Sequence, residues 1–202
     1  MENRTDPGAR RRLMPSFLPL MLTFALGACS TVSQGRNTGM GGTDPGFAAV
    51  PESTFCSSAR HRDLDFWLGT WTVRWTDPDT DQAMQGRNTI RPVLGGCGVL
   101  EAFDGSPGLP LRGMSLSTYH MGQREWRQLW IDNEGGYLPF TGGRQGDRFI
   151  LTLERRNGND PQRRMVWENI APNSLTWRWQ IRTEQDVSWR DLWVLAYERD
   201  GT

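Results

Sequence analysis

The chain has 202 residues, 23 acidic and 23 basic side chains, and 37% hydrophobic residues. That length and balance fit one globular domain and exclude a disordered chain, a multi-span membrane protein and a polycation that gathers nucleic acid by charge. Every basic residue is an arginine, so P-loop, Schiff-base and Ser-Lys mechanisms, each of which requires a lysine, are excluded as well.

Arg4, Arg10, Arg11 and Arg12 precede an apolar run from Leu13 to Leu26. Fourteen helical residues cover about 21 Å, short of a hydrocarbon core of ~30 Å. A basic head and a short apolar segment predict a secretory signal, with ordinary export the default despite a loose twin-arginine match at Arg10-Arg11. The run ends in Leu26-Gly27-Ala28-Cys29-Ser30, which resembles the bacterial lipobox. That resemblance implies cleavage after residue 28 and acylation of Cys29, making the lipid bilayer a partner. Acyl chains contribute about 0.8 kcal/mol per buried methylene, so such an anchor is effectively permanent. An ordinary signal peptide cut nearby, with Cys29 incidental, is the alternative. Ser30, not Asp, follows the cysteine, which resembles lipoproteins sent to the periplasmic side of the outer membrane in cells with two membranes.

Removing residues 1–28 takes away four arginines, one Glu and one Asp, and leaves a net charge of −2. Residues 29–55 are rich in Gly, Ser, Thr, Asn and Pro. They read as a flexible tether with a reach on the order of 27 Å, ahead of a folded domain over 56–202. Cys56 and Cys97 then remain as an even pair in an exported protein, where a disulfide is the default. Closing that loop would contribute roughly 3–4 kcal/mol, and two free buried thiols are the alternative.

The segment 57–65 allows one short helical turn. From there onward, period-2 runs predict strands throughout. The first, over 67–75, places Trp71, Val73 and Trp75 on one face and Thr70, Thr72 and Arg74 on the other. The others are expected at 84–93, 97–103, 112–119, 125–132, 137–141, 148–154, 163–170, 174–182 and 187–198. Turns are expected at Asp77–Asp81, Asp104-Gly105, Gly122, Glu134-Gly135-Gly136, Gly142-Gly143, 157–160 and Pro172-Asn173. Ten short strands joined by short turns predict an all-β, up-and-down antiparallel barrel, whose closure removes exposed edges. A β-sandwich is the alternative. A barrel of ten strands is wider than the eight-stranded size that side chains just fill, so it has room for a cavity.

Gly69-Thr70-Trp71 has the G-x-W form that resembles the first strand of lipocalins and related calycin barrels. The resemblance implies a basic residue from the last strand stacked on the tryptophan, and Arg199 holds that place. The longer string Leu64–Trp71, with Gly86-Arg87-Asn88, Leu94-Gly95-Gly96-Cys97 and Trp126–Asp132, resembles an uncharacterised family of exported bacterial proteins. That family carries F-D-F-W-L-G-x-W, G-R-N, L-G-G-C and W-x-Q-x-W-V-D, and it implies fold and export without supplying a reaction.

Catalytic and metal patterns are thin. His61 and His120 have no metal-ligand spacing, and no G-x-S-x-G occurs. Asp77, Asp79 and Asp81 begin like a calcium loop, but Gln82 and Asn88 break the pattern, so a turn is the better reading. Asp132 and Glu134 with Glu101 offer carboxylates for a hydrolase, which ranks third among the functions. Neither cofactor nor catalytic residue is assigned, and the oligomeric state is left open. Trp71, Trp75, Trp130, Trp177, Trp179 and Trp193 are the candidate lining of a pocket for a small hydrophobic or amphipathic ligand. The leading expectation is therefore a non-catalytic binder in the envelope. The second is a structural or interaction protein whose barrel these tryptophans fill.

Overall fold

A computed structural model of the chain describes residues 51–201. The signal segment, Cys29 and the tether up to residue 50 lie outside these described residues. Three 3-10 turns, Thr54–Cys56, Ala59–Arg62 and Asp65–Trp67, lead into ten strands. These are β1 (Gly69–Thr76), β2 (Ala83–Val93), β3 (Gly98–Asp104), β4 (Arg112–His120) and β5 (Glu125–Asp132). They continue as β6 (Tyr137–Gln145), β7 (Arg148–Leu153), β8 (Gln162–Ala171), β9 (Ser174–Arg182) and β10 (Arg190–Arg199). Each strand pairs antiparallel with its sequence neighbours, and β1 pairs with β10. The sheet is thus a closed up-and-down barrel, and the sandwich alternative is excluded.

Two local expectations are corrected. The first strand starts at Gly69 rather than 67, while the helical turn expected in 57–65 is the 3-10 turn Ala59–Arg62. Gly142-Gly143 is not a turn but lies inside β6, and the chain reverses at Gly146-Asp147. A Cβ on Gly142 would sit 2.1 Å from the Ile150 carbonyl oxygen, at a φ of +154°. Glycine is there because the β7 backbone approaches too closely for a side chain, which from sequence looks the same as a turn signal.

Alternation along each strand sorts the side chains. Val73, Ile90, Val99, Phe103, Phe140, Leu151 and Leu195 point into the barrel and are buried there. The antiparallel pairing also defines two unlike ends. At the end where β1 begins and β10 finishes, the 3-10 segments fold across the opening. Trp71 Nε1 donates to the Trp67 carbonyl at 2.8 Å, and Trp126 Nε1 to that of Arg60 at 3.2 Å. Trp67 meets Trp167 edge to face with centroids 5.1 Å apart, and none of Trp67, Trp71, Trp126 and Trp167 is more than 2% exposed.

A disulfide joins Cys56 to Cys97, with Cα atoms 5.1 Å apart. Ser53 N donates to the Gly95 carbonyl at 2.8 Å, and Arg62 bridges the Cys56 and Gly96 carbonyls. The covalent bond and these hydrogen bonds hold the segment before the barrel against the turn that leads into β3.

Candidate ligand site inside the barrel

The opposite end keeps its aromatic lining accessible. Trp75, Trp130, Trp177, Trp179 and Trp193 lie on the inward parity of their strands, pack against the core, and are only partly buried. Trp193 is the hub, edge-on to Trp75 at 5.5 Å, Phe103 at 6.0 Å and Trp177 at 6.0 Å. The β3–β4 loop leans over this rim. Gly108 N donates to the Gln85 carbonyl at 3.2 Å, and a Cβ on Gly108 would stand 2.9 Å from the Trp75 ring. Trp71 does not belong to this rim group. It lies at the covered end, 0% exposed, with the Arg199 guanidinium 4.0 Å from its ring centre.

Below the rim, β2, β3, β4, β5 and β10 present a polar patch on the inner wall. Asn88 Nδ2 donates to Glu101 Oε1 at 2.8 Å and to the Tyr197 oxygen at 2.9 Å. Ser115 Oγ donates to Glu101 Oε2 at 2.6 Å, and Gln128 Nε2 to Ser117 Oγ at 2.9 Å. All six side chains are buried. Burial pushes the Glu101 carboxyl up to about 7, against the opposing pull of its Ser115 and Asn88 hydrogen bonds. Burial, followed by the neighbouring Glu101 charge, likewise raises the Tyr197 hydroxyl far above its ordinary value. Asn88 Oδ1 and Gln128 Oε1 are buried without any hydrogen-bond partner. The Trp67 indole N–H favours the Tyr197 phenolate from beside it without reaching hydrogen-bond geometry.

The sequence marks Glu101 as a candidate carboxylate but not the patch around it. Its signal was present, because Asn88 closes the Gly86-Arg87-Asn88 string and Gln128 sits between Trp126 and Trp130. Both are polar residues at positions where the period-2 pattern calls for an inward apolar one. Glu101, between Val99 and Phe103, breaks the pattern in the same way.

The weaker chemical candidates resolve into structural roles. Asp77 Oδ1 accepts the backbone N–H groups of Asp79 and Thr80, which makes the acidic run a turn. Asp132 accepts the backbone N–H groups of Glu134 and Gly136 and the Trp130 indole N–H. His61 is buried with Nδ1 2.8 Å from Ser58 Oγ, and His120 Nδ1 accepts the Gln123 N–H within its turn. Among the described residues, no group of three or more His, Cys, Asp or Glu side chains is placed to hold a metal ion. Outside the barrel, Arg74 pairs with Glu198, and Arg178 with Glu168 and Asp191. Arg164 and Arg182 lie over the Trp189 ring at 4.1 and 4.8 Å.

Residues 57–199 match the family described as a protein of unknown function, DUF1579, and the chain belongs to that family. No curated protein matches the chain.

Proposed function

We propose that this member of the DUF1579 family is a non-catalytic binder of a small amphipathic ligand, held in the barrel and presented from the cell envelope by a lipid anchor on Cys29. The observation that carries the binding reading is the asymmetry of the barrel's tryptophans. Trp67, Trp71, Trp126 and Trp167 are sealed, whereas Trp75, Trp130, Trp177, Trp179 and Trp193 face inward and are only partly buried. A ligand entering the barrel would meet these partly buried rings first. Accessible apolar walls with a few placed polar groups are the general form of small-molecule sites. The envelope location rests on the signal-like run and the lipobox-like string at Leu26–Cys29.

A titration with the neutral dye N-phenyl-1-naphthylamine tests the binding reading. Saturable dye fluorescence with a matching change in tryptophan emission is expected. Linear, unsaturable uptake overturns it.

A second reading, an interaction protein of the envelope, has one observation of its own. On the outer face, Met114, Leu116, Ile131 and Tyr137 are each at least 42% exposed on the adjacent strands β4, β5 and β6. An exposed apolar stripe of this kind fits a protein partner or a membrane surface.

A further inference from the structure

We infer that the outer face of β3 to β6 lies on the surface of a lipid bilayer, so that the barrel rests on its side; this goes beyond the ligand reading and rests on the proposed acylation of Cys29 only for what brings the barrel there. The strand register lines up apolar side chains in two rows across four strands. Leu100, Leu116, Leu129 and Pro139 form one row, and Ala102, Met114, Ile131 and Tyr137 form the next. All eight alternate with inward residues such as Phe103, Ser115 and Gln128. They therefore point outward, where a half-solvated antiparallel sheet ordinarily carries polar side chains. A hollow of about 310 Å³ opens on the second row, lined by Ala102, Met114 and Ile131 together with Arg112 and Asn133.

The rest of the surface is unlike this face. Seven of the eight large apolar side chains that stand exposed among the described residues belong to this sector or to its turns. Besides Met114, Leu116, Ile131 and Tyr137, these are Phe55 and Leu94 beside the disulfide-fixed β2–β3 turn, and Met121 in the β4–β5 turn. Gly98 connects the β2–β3 turn to the rows. A Cβ there would stand 3.0 Å from Val93 Cγ2 and 3.6 Å from Leu116 Cδ1, so its bare backbone lets these side chains close over it. The opposite outer face is ionic, with Glu168 held by Arg148 and Arg178, Asp191 by Arg178, and Glu198 by Arg74. The barrel thus divides into an apolar and a charged side, as an interfacial helix does.

Chain path, area and charge make a bilayer the occupant. Toward Cys29 the chain leaves the described residues at Pro51, and next to it Ser53 and Cys56 are fixed to Gly95 and Cys97. A lipid anchor on Cys29 therefore holds the barrel by the β2–β3 turn, at the border of the two rows. Two rows on four strands cover roughly 19 by 13 Å of sheet. That is well short of the ~800 Å² that each partner gives a stable dimer. A bilayer asks for no matching shape, and an anchor already supplies the proximity that a small contact needs. Arg112 and Arg127, which border the rows, are paired with Asp104 and Glu125. The contact is thus driven by apolar burial, and neutral lipid suffices.

The test uses the full chain, returned from detergent to phosphatidylcholine vesicles, with a nitrobenzoxadiazole label on Ile131→Cys. The control carries the label on Val187→Cys, a fully exposed position in the β9–β10 loop. Lipid bearing a nitroxide just below its headgroup is expected to quench the label at 131 about threefold more than at 187, unchanged by added salt. Equal quenching at the two positions in vesicle-bound protein overturns the inference and leaves the anchor in place. A label at 131 shielded from aqueous iodide yet untouched by the lipid nitroxide also overturns it, and assigns the face to a second copy of the chain. Quenching that salt abolishes overturns the apolar contact. Mass spectrometry of the same sample reads Cys29 independently. An unacylated Cys29 refutes the anchor alone, and selective quenching at 131 then still supports the docking. Failure to float with the vesicles overturns the docking, and the mass says whether the anchor failed with it.

Discussion

The Arg199 guanidinium lies 4.0 Å from the centre of the Trp71 ring and also donates to the Leu68 carbonyl at 2.5 Å and the Pro172 carbonyl at 2.9 Å. One side chain from the last strand therefore covers the tryptophan of the first and ties down the segment that precedes it. Gly69 explains the G-x-W spacing, since a Cβ there would sit 2.2 Å from an Arg199 amino nitrogen.

Trp71→Ala removes a fully buried indole and should cost about 3–5 kcal/mol of stability. Arg199→Ala should cost less, and the double variant should show a coupling of about 0.5–2 kcal/mol from the shared cation–ring contact. Urea unfolding of the four proteins checks this. Strictly additive losses would mean that the contact contributes nothing of its own.

The Cys56–Cys97 bond closes a loop of 41 residues in sequence separation. Chain entropy assigns it about 4 kcal/mol, so reduction should lower the denaturation midpoint substantially. Peptide mapping without reductant should recover the two cysteine peptides joined. Free thiols at both positions in natively purified protein would contradict the pairing.

Glu101 makes stability depend on pH in a particular direction. Its folded value of about 7 lies above its ordinary 4.5, so the folded state holds the proton more tightly. That contribution is fully present below about 4.5 and is lost as pH rises through about 7, a difference on the order of 3 kcal/mol. Glu101→Gln, which keeps the shape and carries no charge, should flatten the fall in stability between pH 5 and pH 8. Equal pH slopes in variant and wild type would show that the carboxyl titrates elsewhere.

Much of the barrel could be read from the alternation of side chains, because closing a sheet with short turns leaves few topologies to choose from. Trp71 to Trp75 and Leu175 to Ile181 carry the inward pattern without interruption. Glycine was the ambiguous residue. Gly142 marks a close approach of two backbones, and only the β7 neighbour, distant in the period-2 reading, distinguishes that from a turn. The candidate site was half legible. Its tryptophans stood out by type, but register alone divides Trp71 at the sealed end from the five at the rim. The polar patch is assembled from five strands, each contributing one or two residues. No single stretch of sequence contains it.

Membrane attachment has a direct check. Cys29→Ala should leave the protein in the soluble fraction or keep its signal segment uncleaved. Undiminished retention in membranes would count against acylation at that residue.

The central claim, that the barrel takes a small amphipathic ligand at its tryptophan-bearing end, is tested most directly by a crystal of the protein soaked with 8-bromo-1-octanol. The account predicts an anomalous bromine peak beside Trp75, Trp130 or Trp193. A bromine peak confined to the outer face beside Met114, Leu116 and Ile131 would contradict it and favour the exterior stripe as the working surface.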